Sequence, residues 1–334
     1  MAKIIILGSG GFGLSLAIMC ANAGHDVTVW SKFRDEIEAI ERTGELKAKL
    51  PGCKVPKSVK LTTDIAEVRG KELAILGIPT AFCRSVCEEA AKYIEPETIV
   101  VNTAKGLEGG TLKTMSEVTE ESLPKNRIAI LTGPSHAEEL ARGIPTTVTV
   151  ASKDPEVMKY VQATLISANF RIYSNHDVIG CELGGSLKNV IALAAGVCDG
   201  LGLGDNTKAA LMTRGIREIA TLGVAMGAES STFAGLSGIG DLIVTCCSMH
   251  SRNRRAGILI GQGVSPAEAV ERVGTVEGYS CTKNAYELAK KLGVEMPITE
   301  QLYAVRFEGQ PANASIRALM ERPSKNETEE DFLG

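Results

Sequence analysis

The sequence predicts an α/β fold, with a doubly wound parallel sheet followed by an all-α C-terminal domain. Three observations lead to this prediction. Short apolar segments alternate with amphipathic helical segments through the first half of the chain. A glycine-rich turn joins the first apolar segment to the first helix. Strand patterns stop near residue 180, and helical patterns follow.

Six segments of the first half have the composition of buried strands. They are rich in isoleucine and valine and contain few polar residues, as strands covered on both faces of a parallel sheet do. The predicted strands cover residues 3–7, 26–30, 73–78, 98–102, 127–131 and 146–151. Helical segments such as residues 14–23 and 81–93 lie between them, which is the order of a doubly wound sheet.

The second half has predicted helices at residues 183–201, 207–227, 265–273, 283–292 and 299–307. Its first helices are rich in glycine and alanine, which lets helix backbones approach closely. We therefore predict two domains, over residues 1–180 and 181–334. The polar, acidic tail from Ser324 is expected to fray.

The turn after the first strand reads Gly-Ser-Gly-Gly-Phe-Gly at residues 8–13 and matches G-x-G-x-x-G. It lies between a strand and a helix, the context in which this pattern binds a dinucleotide. Gly8 would form the tight turn, Gly10 would admit the pyrophosphate, and Gly13 would let the helix pack on the strand. The helix start offers N–H groups to the phosphates. A tight turn without a ligand is the alternative, but the context favours a Rossmann-like domain that binds a nicotinamide dinucleotide.

The end of the second strand indicates which dinucleotide is used. An acidic residue there binds the ribose 2′-hydroxyl of NAD, whereas a basic residue accommodates the 2′-phosphate of NADP. Lys32 and Arg34 follow Trp30, and no acidic residue precedes Asp35. This favours NADP(H), or use of both NADP(H) and NAD(H), unless the two cations are solvated loop residues.

Lys188 is the only cation in an apolar, small-residue helical segment, residues 182–192. Burial lowers the pKa of a lysine, and such a lysine can exchange a proton with a substrate hydroxyl near neutral pH. The alternative is a lysine that extends from the helix edge into solvent.

Further candidates follow neighbouring strands. Lys105 comes just after the fourth predicted strand, and Gly133 and Ser135 follow the fifth. Ligands of open α/β sheets bind at these strand ends. His136 is as well placed to begin a helix as to act as an acid or base, so we assign it no chemistry.

Two short segments of the second half carry polar candidates. Asp241, after a glycine turn, could orient Lys188, bind substrate or cap a helix. Ser251, Arg252 and Asn253 place a guanidinium group beside an amide, which suits a phosphate. A short basic segment is more often a solvated loop.

Composition argues against several functions. The chain has 334 residues and a net charge of −4, which gives no reason to expect binding to nucleic acid or to an anionic membrane. Nine cysteines show no zinc-ligand spacing, so we expect no metal, and reduced thiols in a cytoplasmic protein. We find no signal peptide and no apolar segment long enough to span a membrane.

Taken in order, these motifs resemble bacterial-type NAD(P)-dependent glycerol-3-phosphate dehydrogenases, from the first strand to about Met320. The motifs are residues 8–13, Ala104-Lys105-Gly106-Leu107, Gly133-Pro134-Ser135, Leu187-Lys188-Asn189, Gly240-Asp241-Leu242 and Ser251-Arg252-Asn253. The resemblance implies reversible hydride transfer between NAD(P)H and dihydroxyacetone phosphate, giving sn-glycerol 3-phosphate for glycerophospholipid synthesis. It also implies a homodimer.

The resemblance further implies roles for single residues. Lys188 would be the catalytic proton acceptor or donor, with Thr245 near it. The implied substrate-binding residues are Lys105, Gly133, Ser135, Lys188, Asp241, Ser251, Arg252 and Asn253. The implied cofactor-binding residues are Gly8, Gly10, Gly11, Phe12, Gly13, Lys32, Lys105, Ala137, Arg252, Thr275 and Glu277. Gly11 and Phe12 replace the pair of residues usual in the family, and backbone contacts to phosphate should survive this change. Thr275 stands where a valine is usual, which changes little in what the resemblance implies.

Two other functions remain open from the sequence. β-Hydroxyacid dehydrogenases share the two-domain plan and a catalytic lysine followed by asparagine, but they act on carboxylates, and residues 251–253 favour a phosphate. A dinucleotide-binding sensor without turnover would need the glycine turn but not Lys105, Lys188 or Asp241.

Overall fold

The computed structural model describes residues 1–324 and 326–327. Contacts between residues divide the chain into two compact units. The first unit comprises residues 1–105 and 113–178, and the second comprises residues 106–112 and 179 onward. Within the predicted acidic tail, Lys325 and residues 328–334 lie outside the described residues.

Within the described residues, the first unit contains an eight-stranded sheet. Its strands are β1 Lys3–Leu7, β2 Asp26–Trp30, β3 Lys60–Thr62, β4 Leu73–Leu76, β5 Ile99–Asn102, β6 Ile128–Thr132, β7 Thr146–Ala151 and β8 Phe170–Asn175. Their order is β3-β2-β1-β4-β5-β6-β7-β8, and every neighbouring pair is parallel except β6 and β7. The order reverses between β1 and β4, which makes the sheet doubly wound and marks its ligand-binding edge.

All six predicted strands are present, and two strands were missed. β3 has only three residues, and two of them, Lys60 and Thr62, are polar. In β8, Phe170 and Ile172 are buried and alternate with exposed residues. Both are edge strands, and an uninterrupted apolar run is a criterion only for strands buried on both faces.

Helices pack on both faces of this sheet. They are α1 Gly11–Asn22, α2 Arg34–Thr43, α3 Cys83–Ala90, α4 Met115–Ser122, α5 Ala137–Ala141 and α6 Pro155–Leu165. Ile4 and Ile6 of β1 pack in the core cluster that includes α1, whereas Ile5 and Leu7 pack in the cluster that includes α3. Alternate side chains of the strand point to opposite faces of the sheet, so β1 contributes to the cores on both faces.

The second unit is helical throughout its described elements. Its helices are α7 Val178–Gly200, whose first residue belongs to the first unit, α8 Asp205–Ala225, α9 Asp241–Cys247, α10 Arg252–Gly261, α11 Pro266–Val273, α12 Glu277–Leu292, α13 Pro297–Phe307 and α14 Ala312–Met320. This confirms the all-α prediction, although α9, α10 and α14 were not predicted. A short π-helix at Leu236–Gly240 leads directly into α9.

Glycines bring α7 and α10 into backbone contact. A Cβ on Gly196 would lie 2.1 Å from the carbonyl oxygen of Arg254, and one on Gly257 would lie 2.1 Å from that of Leu193. Any larger residue at either position would force the two helices apart. The glycine-rich composition of this region thus fixes α7, which carries Lys188, against α10, which carries Arg252.

Contrary to the sequence expectation, α7 has the length and apolar composition of a membrane-spanning helix. However, 94% of its 18-residue apolar window is buried inside the protein. Such burial is typical of a core helix.

Candidate functional site

The glycine turn between β1 and α1 has the geometry that its sequence predicts. Gly8 has a φ of +124°, and a Cβ there would lie 2.5 Å from the carbonyl oxygen of Gly77. A Cβ on Gly13 would lie 2.3 Å from the carbonyl oxygen of Gly8, so a larger residue would push α1 away from β1. Gly10 is the N-cap of α1, in an extended conformation.

The start of α1 suits an anion. The helix begins at Gly11, three residues earlier than predicted, so Gly11, Phe12 and Gly13 are its first three residues. In the first turn of α1, which the structure describes, no side chain caps the helix and no acidic residue is present. The amide N–H groups and the helix dipole therefore fit the pyrophosphate of a dinucleotide. Ala137, the first residue of α5, lies beside Gly11, and Phe12 packs against the core.

The carboxyl ends of β5 and β6 bring three predicted site residues together. Lys105 Nζ donates a hydrogen bond to the carbonyl oxygen of Gly133 at 3.0 Å, and Ser135 Oγ donates to the same oxygen at 2.9 Å. Gly133 has a φ of +121°, a conformation that favours glycine. His136 is the N-cap residue of α5, in agreement with its interpretation as a helix start.

The end of β2 differs from its sequence-based interpretation. Lys32 is exposed, and Arg34, also exposed, begins α2. In the first turn of α2, the carboxylate of Glu36 accepts hydrogen bonds from Ser31 Oγ at 3.0 Å and from Ser9 Oγ in the glycine turn. An acidic group therefore stands beside the end of β2, although it comes later in the sequence.

Lys188 lies in the interior of the second unit, where it is 6% exposed. Its Nζ donates hydrogen bonds to Asp241 Oδ1 and, at 2.9 Å, to Thr245 Oγ1. Thr245 Oγ1 in turn donates to the carbonyl oxygen of Asp241 at 2.6 Å. This geometry excludes a lysine that extends into solvent. It also excludes Asp241 as a helix cap, because the N-cap of α9 is Gly240.

Beside Lys188, side-chain amides join α7, α10 and α12. Asn189 Oδ1 accepts a hydrogen bond from Asn253 Nδ2 at 2.9 Å, and Asn189 Nδ2 donates to Glu277 Oε2 at 3.1 Å. Asn253 Oδ1 accepts from the backbone N–H of Gly278 at 2.8 Å. These bonds fix the start of α12 and the first turn of α10 relative to the helix that carries the lysine.

The basic segment near residue 252 is the start of a helix and not a solvated loop. Ser251 Oγ caps α10 by accepting a hydrogen bond from the backbone N–H of Arg254 at 3.2 Å. Arg252 is exposed in the first position of α10, whereas the Arg254 side chain donates to Asp199 at 2.7 Å. Thr275 is an exposed residue of the segment that precedes α12.

The cysteines of this chain form no disulfide. All nine cysteines are free thiols, and eight of them are buried. Burial raises the pKa of Cys20, Cys87, Cys246 and Cys281 to about 12, so these thiols remain protonated and serve as small core groups. Among the described residues, no group of three His, Cys, Asp or Glu side chains could hold a metal ion.

Two residues of these clusters, Asn189 and Glu36, have no role predicted from the sequence. For Asn189, the sequence signal of a role in the site is its position next to Lys188. Glu36 lies in the first turn of α2. Its sequence signal is a pair of serines, one in the glycine turn and one after β2, whose hydroxyl groups a carboxylate at the start of α2 can reach.

The chain is similar to known dehydrogenases over nearly its whole length. Family models described as NAD-dependent glycerol-3-phosphate dehydrogenase N-terminus and C-terminus match residues 3–158 and 177–317. Proteins named glycerol-3-phosphate dehydrogenase (NAD(P)+) are 51% identical over 330 residues in Moorella thermoacetica and 50% identical over 331 residues in Fusobacterium nucleatum subsp. nucleatum. Each match covers 98% of this chain, and 98% and 99% of the two relatives, respectively.

A solved structure has the same fold. The crystal structure of glycerol-3-phosphate dehydrogenase from Coxiella burnetii matches with a TM-score of 0.92 at 35% sequence identity. The match covers 96% of this chain and 99% of that chain. Together with the two family models, these relatives show that the chain belongs to the NAD(P)-dependent glycerol-3-phosphate dehydrogenase family.

Proposed function

We propose that this protein catalyses reversible hydride transfer between NAD(P)H and dihydroxyacetone phosphate, giving sn-glycerol 3-phosphate. The observation that carries the proposal is the buried Lys188 ammonium, held between Asp241 and Thr245. Reduction of a ketone builds negative charge on its oxygen. A fixed ammonium group stabilises that charge and donates the proton. In the reverse direction, Lys188 would accept the proton of the substrate hydroxyl.

The first unit would hold the cofactor, and the dinucleotide, when bound, supplies the hydride. The N–H groups at the start of α1 would bind the pyrophosphate, with Gly8, Gly10 and Gly13 leaving room for it. The other proposed cofactor contacts are Gly11, Phe12, Lys32, Lys105, Ala137, Arg252, Thr275 and Glu277.

The second unit would hold the substrate phosphate at the start of α10. Arg252 presents an exposed guanidinium group there, and the dipole of a ten-residue helix adds a favourable potential for an anion. Ser251 and Asn253 hold this helix start in place. The other proposed substrate contacts are Lys105, Gly133, Ser135, Lys188 and Asp241.

An absorbance assay tests the proposed activity. Dihydroxyacetone phosphate is expected to cause oxidation of NADH or NADPH, with sn-glycerol 3-phosphate as the product, while a small 3-oxo acid is expected to cause none. Preference for the 3-oxo acid would instead identify a β-hydroxyacid dehydrogenase. Cofactor binding without turnover of either substrate would identify a dinucleotide-binding sensor.

The wider role follows from the same proposal. Residues 1–180 would act as the dinucleotide-binding domain, and residues 181–334 as the substrate-binding and catalytic domain. We propose a cytoplasmic homodimer that supplies glycerol 3-phosphate for glycerophospholipid synthesis, with no integral membrane association and no nucleic-acid partner. Sedimentation of the purified protein would test the dimer, and cell fractionation would test the location.

A further inference from the structure

Ser9, Ser31 and Glu36 form a polar group at the carboxyl ends of β1 and β2, here called the β1–β2 cluster. Both serines are almost fully buried, and their Oγ atoms are 2.8 Å apart. Ser31 Oγ donates to Glu36 Oε2 at 3.0 Å, and Ser9 Oγ contacts the same oxygen. These hydrogen bonds fix the carboxylate beside the glycine turn.

The second carboxylate oxygen of Glu36 can accept a hydrogen bond from a ligand. Glu36 Oε1 forms a long ion pair with Nζ of the half-exposed Lys49 at 4.0 Å, a distance too long for a hydrogen bond, so this oxygen keeps its acceptor positions. The Glu36 side chain is 16% exposed, so a ligand can reach it. A carboxylate has about four acceptor positions, and Oε2 uses only part of them.

The β1–β2 cluster lies where the adenosine ribose of a bound dinucleotide is placed. In a doubly wound sheet, this ribose lies at the end of the second strand, next to the glycine turn. A carboxylate in that position accepts a hydrogen bond from the ribose 2′-hydroxyl. It repels a 2′-phosphate, which carries about two negative charges near neutral pH.

We propose that Glu36 makes this enzyme select NADH over NADPH, by accepting a hydrogen bond from the ribose 2′-hydroxyl and repelling the 2′-phosphate. This inference rests on the proposed function, since it concerns the cofactor of the same reaction. Lys32 and Arg34 then matter less for the choice between NADH and NADPH than their position in the sequence suggests. Both are exposed, so salt screens their charges, whereas the largely buried Glu36 acts at short range.

Cofactor binding without substrate tests this proposal. The dissociation constants of NADH and NADPH are measured by fluorescence titration for the wild type, Glu36→Gln and Glu38→Gln. Glu36→Gln removes the charge but keeps an acceptor oxygen for the serines. Glu38 is an exposed acid on the same helix, so Glu38→Gln is the matched control.

The wild type is expected to bind NADH at least about tenfold more tightly than NADPH, and Glu36→Gln to reduce this ratio by at least about tenfold. Glu38→Gln is expected to keep the wild-type ratio. A second charge-removing variant, Glu36→Ala, should shift the ratio in the same direction, so poor folding of one variant does not prevent the test. Equal or tighter binding of NADPH by the wild type, or an unchanged ratio in the Glu36 variants, overturns the proposal.

The same proteins are then assayed with dihydroxyacetone phosphate. Turnover with an unchanged binding ratio contradicts the role of Glu36 and leaves the dehydrogenase function intact. A shifted ratio without any turnover supports the role of Glu36 and contradicts the proposed reaction.

Discussion

Lys188 Nζ and Asp241 Oδ1 form a buried ion pair between residues 53 positions apart in the chain. Taking two charges out of water costs free energy, and their attraction offsets only part of this cost. A protein with apolar residues of similar volume in place of such a pair is often as stable. An ion pair in this position is therefore better explained by chemistry than by stability. Thr245 supplies the lysine with an acceptor on a second side.

Replacing Lys188 by methionine should abolish proton transfer while leaving cofactor binding intact. We expect kcat to fall by about 100-fold to 10,000-fold in both directions, because the proton donor is lost. The free energy of unfolding should fall by about 3–5 kcal/mol, since a carboxylate then stays buried without its ammonium group. Steady-state kinetics, cofactor titration and chemical denaturation measure the three quantities.

The double variant Lys188→Met with Asp241→Asn separates the two effects. It removes both charges, so we expect much of the lost stability to return while kcat stays low. If turnover recovered together with stability, Lys188 would be a structural residue and the proposed proton transfer would be wrong.

Thr245→Val should lower kcat by about tenfold to 100-fold with little change in KM for dihydroxyacetone phosphate. The substitution keeps the shape of the side chain but removes a hydrogen bond to a charged group, which is worth about 1.5–3 kcal/mol. Thr245→Ser is the matched control and should restore most of the rate, because it keeps the hydroxyl. An equal loss in the serine variant would show that the methyl group matters and that the hydroxyl does not position Lys188.

Arg252→Ala should raise the KM for dihydroxyacetone phosphate by at least about tenfold, because charge-assisted bonds to a phosphate are lost. Arg255→Ala is the control, since Arg255 is also exposed and lies on the same helix. Its KM should match that of the wild type. The same KM increase in both variants would indicate a general effect of charge and would remove Arg252 from the phosphate site.

The features that the sequence predicted are those determined by local chemistry. The glycine turn was predictable because Gly8 adopts a positive φ and because a Cβ on Gly13 would collide with the carbonyl oxygen of Gly8. Lys188 was noticeable as a cation among small apolar residues. In contrast, Glu36 was not found, because its role depends on how α2 turns back toward β1.

The antiparallel pairing of β6 with β7 and the helix α10 were also not predictable from pattern. The strand composition is the same in either direction, so apolar runs do not show orientation. The first turn of α10 is basic and polar, and Ser251 is its only start signal. Contacts between distant segments decide both features.

Glu218 should make the stability of the second unit depend on pH. Its carboxylate, on α8, accepts hydrogen bonds from the backbone N–H groups of Ile298 at 2.6 Å and Thr299 at 3.3 Å, at the start of α13. Burial raises the pKa of Glu218 from 4.5 to about 7, although these hydrogen bonds act in the opposite direction. The folded state therefore binds an extra proton between these two values. The stabilisation is fully present below about pH 4.5 and is lost as the pH rises to about 7.

Glu218→Gln removes this titration and keeps an acceptor oxygen for α13. We expect the free energy of unfolding of the variant, relative to the wild type, to rise by about 3 kcal/mol between pH 4.5 and 7.5. Chemical denaturation at several pH values measures it, with Glu308→Gln, an exposed acid at the end of α13, as the control. If the wild type and Glu218→Gln showed the same pH dependence, Glu218 would not titrate in this range, and its carboxylate would be ionised in the folded protein throughout.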